Sequence, residues 1–228
     1  MKWHFDDFIY GSIDGTVTTF AIVAGVVGAS LSTNIILILG FANMFADGFA
    51  MAVASYQASK AHNEYVQMKR KREEWEIDHM REQEKQEIRD IYEKKGFKDE
   101  MLDEIVRMIT SRRKVWVDTM MREELGLVEE DDKKPLISAF STFVGFNVVG
   151  LIPLIPFLVF YVMDLEANSE AFYFSAAFTG AAFFIIGLIK GKIVQKSLLR
   201  SGLFTLIIGA VAAGVAYFVG YSLNLLIS

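Results

Sequence analysis

The stretch NIILILGFANMFADGFAMAVASYQAS, Asn34 to Ser59, decides the fold: one charged residue, Asp47, stands in an otherwise uncharged run of helix length. A bilayer's hydrocarbon core of roughly 30 Å needs about 20 apolar residues at 1.5 Å rise each, so this stretch is long enough to cross. Phe8 to Leu31, Leu136 to Met163, Ala171 to Ile189 and Gly202 to Leu226 have the same character. Helices satisfy their own backbone groups in lipid, and strands are not needed. The expected fold class is all-α: a polytopic membrane protein with five transmembrane helices.

Between Lys60 and Lys134 lie 18 of the 23 Lys and Arg and 21 of the 28 Asp and Glu, so the mean hydropathy of +0.32 and the net charge of −5 average two unlike regions. The expected domains are 1–59 (spans one and two), 60–135 (a charged helical domain inserted between spans two and three) and 136–228 (spans three to five). The link after span four carries Lys190, Lys192, Lys196 and Arg200 without an acid, whereas the link after span three carries Asp164, Glu166 and Glu170. Positive charge marks the cytosolic side. Residues 60–135 are therefore expected in the cytosol and the termini on opposite faces. Met1 to Asp7 lacks the basic start of a signal peptide, and the first span is read as retained. A cell membrane is the expected location and a vacuole-like organelle membrane the alternative. Nucleic acid is not expected as a partner. With Cys 0, disulfides, thiolate zinc sites and iron–sulfur clusters are excluded, and a metal must use oxygen, imidazole or thioether ligands.

Asp14 and Asp47 lie inside spans. An ionised Asp at the bilayer centre costs about 2.5–3.5 kcal/mol on insertion scales, so both are expected to face a cavity or a partner. The alternative for Asp14 is an interfacial position, hydrogen-bonded to Ser12 and Thr18. Asn43, Asp47 and Met51 follow at four-residue spacing, so one helix face shows amide, carboxylate and thioether, a set suited to a soft-to-borderline cation. A lone Met is more often core filler. Asp14 and Met51 both fall roughly 10–14 Å inside the cytosolic ends of their spans. Pro153 and Pro156 break span three and free carbonyls that must find partners. Ala21, Gly25 and Ala29 in span one and Ala212, Ala216 and Gly220 in span five form faces for close helix approach, within or between subunits. Five spans make a thin wall for a pathway, which points to a homodimer with the pathway near its axis.

Within the charged domain the pattern is helical from Asn63 to Leu127, with Gly96 and Ser111 as breaks and Gly126 as a terminal cap. Glu73 with Glu76, and Glu84 with Glu87, are i, i+3 pairs that each present two carboxylates on one face. On one straight helix the pairs would sit roughly 16 Å apart, so a single ion requires a bend near Asp78–His79; otherwise each pair binds its own ion. Glu124, with Met120 and Met121 one turn earlier, is the expected third contributor. Carboxylates plus thioether favour Fe²⁺, Mn²⁺ or Co²⁺ over Ca²⁺ or Mg²⁺. Taken singly, each Glu also fits an ordinary solvated helix face.

The chain resembles the vacuolar iron transporter family over nearly its whole length. The likeness rests on Gly11-Ser-Ile-Asp14-Gly-Thr-Val-Thr-Thr-Phe, Ala24-Gly25-Val-Val-Gly28-Ala-Ser, Ala42-Asn-Met-Phe-Ala-Asp47-Gly-Phe-Ala-Met51, Met120-Met121-Arg-Glu-Glu124-Leu-Gly-Leu, Gly150-Leu-Ile-Pro-Leu-Ile-Pro156 and Arg200-Ser-Gly-Leu. The resemblance implies a dimer of five-span subunits that moves Fe²⁺ and related ions (Mn²⁺, Co²⁺ or Zn²⁺) out of the cytosol in exchange for protons. It implies metal ligands at Asp14 and Met51 in the membrane and at Glu73, Glu76, Glu84, Glu87, Met120, Met121 and Glu124 in the charged domain. Asn43 stands where some relatives carry Glu, which transfers the carboxylate role to Asp47. Relatives often place a proline between the two Glu pairs; Asp78-His79-Met80-Arg81 has none. No enzymatic activity is expected. The rivals are a membrane-anchored di-iron oxidase, for which only one Glu-x-x-His motif (Glu76, His79) exists where two are needed, and a metal-sensing protein that does not transport.

Overall fold

The computed structural model describes residues 5–127, 134–165 and 169–227. They form helices α1 (Phe5–Gly28), α2 (Thr33–His79), α3 (Arg81–Lys94), α4 (Asp99–Thr110), α5 (Arg113–Glu123), α6 (Pro135–Gly150), α7 (Ile155–Val162), α8 (Ser169–Ile193) and α9 (Leu198–Ile227), with a 3₁₀ turn at Ile152–Leu154. Five helical segments are long and apolar enough to span: α1, α2, α6 with α7, α8 and α9. The protein is an all-α polytopic membrane protein. Its chain divides into two compact units, one of residues 1–57 and 134–228 and the other of residues 58–133. Glu166, in the acidic link, lies outside the described residues.

In the membrane unit α1 is the central helix, packed against α6, α8 and α9. Its glycines make that position available. A Cβ on Gly11 or Gly15 would collide with backbone carbonyls of Thr142 and Phe146 on α6, and one on Gly220 of α9 would collide with the carbonyl of Gly25. The small-residue faces of spans one and five therefore meet each other within one chain. Phe20, Val23, Val26, Ile36, Leu154 and Phe157 form the apolar core beside these crossings, with Phe172 stacked on Phe20. The outward face of α9, including Leu203, Ile207, Val211, Val215 and Phe218, is exposed apolar surface suited to acyl chains.

Span three breaks at its prolines, as the sequence predicts. The helix gives way to the 3₁₀ turn after Gly150, and the freed carbonyl of Pro153 accepts a 2.6 Å hydrogen bond from the buried hydroxyl of Ser175 on α8. A neighbouring helix thus repairs the ladder that proline interrupts.

The largest departure from expectation is α2, which continues for 47 residues and does not stop at Ser59. The end of an apolar run is no helix stop. No Gly or Pro occurs between Gly48 and Gly96, and the polar continuation adds i, i+4 pairs such as Arg72 with Glu76 at 2.9 Å and Lys60 with Glu64 at 3.9 Å.

The charged unit is built from the far part of α2 with α3, α4 and α5. Its core gathers Val66, Ile77, Ile88, Leu102, Val106, Ile109, Trp116, Val117, Met120 and Met121. Helix α4 supplies Leu102, Val106 and Ile109 from a single apolar stripe. Gly96 at φ +98° and Gly126 at φ +64° take the left-handed conformation after α3 and α5, and Ser111 ends α4, as expected from their residue types.

Candidate metal centres

In the charged unit the decisive local event is the end of α2. Met80, at φ −124° and ψ 37°, leaves the helical region, and α3 begins one residue later at Arg81. No proline is involved. His79 stacks on the Trp75 ring at 4.5 Å, and its Nδ1 lies 2.8 Å from the Trp75 carbonyl in the last turn of α2. Arg113 of α5 braces the same end through Asp78 at 2.9 Å and the Glu74 carboxylate at 3.5 Å. Across the junction Arg81 lies 5.0 Å from the centre of the Trp116 ring.

The bend brings the two glutamate pairs together. Glu73 from α2, Glu84 from α3 and Glu124 at the end of α5 each offer a carboxylate oxygen, and these oxygens all lie within 4.8 Å of one another. Glu73 and Glu84 are each only 3 % exposed, and one oxygen of each is buried without a hydrogen-bond partner. Buried like charges at this range cannot all stay ionised unless a cation or a proton intervenes. Burial, then the neighbouring carboxylates, pushes both Glu73 and Glu84 from an ordinary 4.5 up to about 7. Burial, then Glu87 and Glu76, raises Glu124 as well. Glu76 and Glu87 therefore stand within electrostatic reach of the three, and Glu76 is held by Arg72. The arrangement is an oxygen-rich cluster from three helices, of the kind that could hold a cation.

Met120 and Met121, expected beside Glu124, are fully buried in the apolar core with Trp116 and Ile88. Packing accounts for their position. His79 is not part of the carboxylate group, so Glu76-x-x-His79 does not converge as a di-iron motif would require.

In the membrane unit, Asp14 on α1 and Asp47 on α2 lie within electrostatic range of each other. The hydroxyls of Ser12 and Thr18 donate to the backbone carbonyls of Phe8, at 2.7 Å, and Asp14, at 2.9 Å, and leave the Asp14 carboxylate alone. Asn43, Asp47 and Met51 are all half-buried along one face of α2, while Phe45, Phe49 and Val53 point outward. The Asn43 amide nitrogen is buried without a partner.

Two features escaped the sequence reading. Asn147 of α6 approaches Gly48, beside Asp47, where a Cβ on Gly48 would meet the Asn147 amide nitrogen at 2.5 Å. That amide nitrogen bonds to the Phe143 carbonyl, while its oxygen is buried and unpartnered. The signal was an isolated amide in an apolar span. Nearer the helix ends, Ser138 of α6 donates to Asp7 at 2.5 Å and lies 3.0 Å from the Ser55 hydroxyl, which joins α1, α6 and α2 through polar groups.

Fold and side chains together define a multi-span membrane protein whose charged unit gathers three carboxylates in one cluster. The profile of the VIT family matches residues 5–221, and the chain belongs to that family. It is 36 % identical over 223 residues to a protein of Toxoplasma gondii named Vacuolar iron transporter, covering 96 % of this chain and 74 % of that one. A protein of the same name from Plasmodium falciparum is 34 % identical, with 95 % and 81 % covered. Vacuolar iron transporter 1 of Arabidopsis thaliana is also 34 % identical, with 92 % and 82 % covered.

Proposed function

We propose that this chain is a metal-ion transporter that moves Fe²⁺ out of the cytosol in exchange for protons, accepts Mn²⁺, Co²⁺ or Zn²⁺ as related cargo, and works as a homodimer with residues 60–135 in the cytosol. A vacuole-like organelle membrane is the host that the names of its relatives favour. The observation that carries the reading is the trio Glu73, Glu84 and Glu124, three carboxylates within 4.8 Å, two of them buried and uncompensated. Such a cluster gains most from a divalent cation, and binding one expels the protons that otherwise hold it together.

Capture by the glutamates concentrates the ion near the membrane. Asp14 and Asp47 then supply carboxylate oxygens inside the spans, with Met51, Asn43 and the Asn147 oxygen as neutral donors nearby. A carboxylate that binds either metal or proton is the minimal element of exchange, and Asp14 is assigned that role. An enzymatic reading is disfavoured because His79 stands outside the carboxylate cluster, and a pure sensor has no use for acids inside its spans.

The test is Fe²⁺-driven proton flux in proteoliposomes with a pH-sensitive dye inside. Flux should be present in the unaltered chain and absent in Asp14→Asn. Undiminished flux in that variant would remove Asp14 from the pathway. Flux without any metal dependence would remove the transporter reading altogether.

A further inference from the structure

The turn between α8 and α9 forms an open pocket of about 550 Å³, lined by Lys190, Lys196 and Arg200 together with Ser197, Ser201 and Phe204. Its cationic groups make no ion pair among the described residues, in contrast to Arg70, Arg72, Arg89, Lys95 and Arg113 of the charged unit, each of which has a carboxylate partner. The cavity has a rigid back. A Cβ on Gly191 would come within 2.9 Å of Ser201, so α8 and α9 cross there at close range. The lining residues Ser197, Arg200 and Ser201 stand at the N-terminal end of α9, the positive end of a 30-residue helix. Phe204, at 62 % exposed, and the outward Leu203 and Ile207 continue from the cavity along the lipid-facing side of α9.

Cations, hydroxyls and helix amides at one end, with an apolar strip leading away, match a molecule that has a phosphate head and hydrocarbon tails. We propose that this cavity binds the headgroup of an anionic phospholipid, with its acyl chains along α9. The positive-inside tendency explains why basic residues lie on this face of the membrane, but it asks for no concave pocket and no hydroxyl lining. Basic pockets between spans on this side are a recognised form of lipid headgroup site. By the parity of the crossings this turn opens on the same membrane face as Asp7, Ser55 and Ser138. The bound lipid would therefore hold the α8–α9 hairpin at the face where the polar ends of α1, α2 and α6 meet.

The experiment is native mass spectrometry of the full detergent-purified chain titrated with phosphatidylglycerol, phosphatidylcholine or inorganic phosphate. Phosphatidylglycerol should bind preferentially, and the combined Lys190→Gln, Lys196→Gln, Arg200→Gln variant should bind it roughly a hundredfold more weakly. Val194→Trp fills the cavity without changing charge or orientation, and it should lose the lipid as well. Equal retention of phosphatidylcholine, or undiminished binding by both variants, would overturn the site. Inorganic phosphate binding as tightly as phosphatidylglycerol would overturn its assignment to lipid. Because the chain has no native cysteine, single introduced cysteines can verify that each variant keeps its orientation.

Discussion

The two acidic sites are built in opposite ways. Glu73, Glu84 and Glu124 come together because a helix ends at Met80 and folds back, so residues eleven apart in sequence share a few ångströms. Asp14 and Asp47 sit on helices that do not break near them, brought within range by the packing of whole spans. The first site is dense, offers carboxylate oxygens, and has two of its three glutamates buried. The second is sparse, and amide and thioether groups stand beside its carboxylates. A dense carboxylate site suits capture, because it holds an ion against competition from water. A sparse site with neutral donors suits passage, because fewer charges need to let go.

Exchanging Asp14 for Asn should have the largest effect. Transport is expected to fall by more than about a hundredfold, since removal of a ligand costs at least what loss of its outer support does, while Fe²⁺ binding to the glutamate cluster stays unchanged in equilibrium dialysis. Equal loss of both would show that the two sites are not separate. Glu73→Gln comes next. It should weaken metal binding at the cluster by roughly 10–100-fold, raise the Fe²⁺ concentration needed for half-maximal flux and leave the maximal rate largely intact. It should also raise the thermal stability of the metal-free protein at pH 8, because it removes a buried charge.

The pH dependence should divide the sites further. Folded-state values of about 7 against an ordinary 4.5 mean that Glu73 and Glu84 contribute stability that is fully present below 4.5 and lost as pH rises through about 7. The metal-free protein should therefore melt at lower temperature at pH 8 than at pH 5.5, and a divalent cation should restore the difference. Metal affinity of the cluster should climb by up to about tenfold per pH unit for each proton displaced, and flatten above neutrality. Calorimetry in buffers of different ionisation enthalpy would count those protons, and a count of zero would contradict the cluster's assignment. The smallest effect is expected from Ser175→Ala, which removes the partner of the Pro153 carbonyl. A loss of about 0.6–1.7 kcal/mol in unfolding experiments is the scale for hydrogen bonds between membrane helices, with transport altered little.

Sequence reading located the spans because crossing a bilayer imposes a length and a composition that the chain displays openly. The glutamates were legible as pairs, and Gly96, Ser111 and Gly126 were legible as ends, because each rests on local chemistry. The bend was only conditional, since Met80 is neither glycine nor proline, and the contacts that flank it, His79 with Trp75 and Arg113 with Asp78, involve ring stacking and a distant helix. The length of α2 was underestimated because the edge of an apolar run was taken as the edge of a helix. Asn147 and the Asp7–Ser138–Ser55 contacts depend on which helices touch, and no single-helix periodicity reveals that. Met120 and Met121 show the reverse case: a residue type that suits a ligand also suits a core, and the structure places both in the core.

The glycine crossings also divide the spans by what lies against them. Helix α1 meets α6 and α9 backbone against backbone, so a turn about its axis would drive it into their carbonyls. Helix α2 approaches its neighbours at Gly40 and Gly48 through the ends of Leu154 and Asn147, side chains that can swing aside. Of the two membrane aspartates, Asp14 thus stands on the span packed backbone to backbone, and Asp47 on the span whose glycines meet side chains.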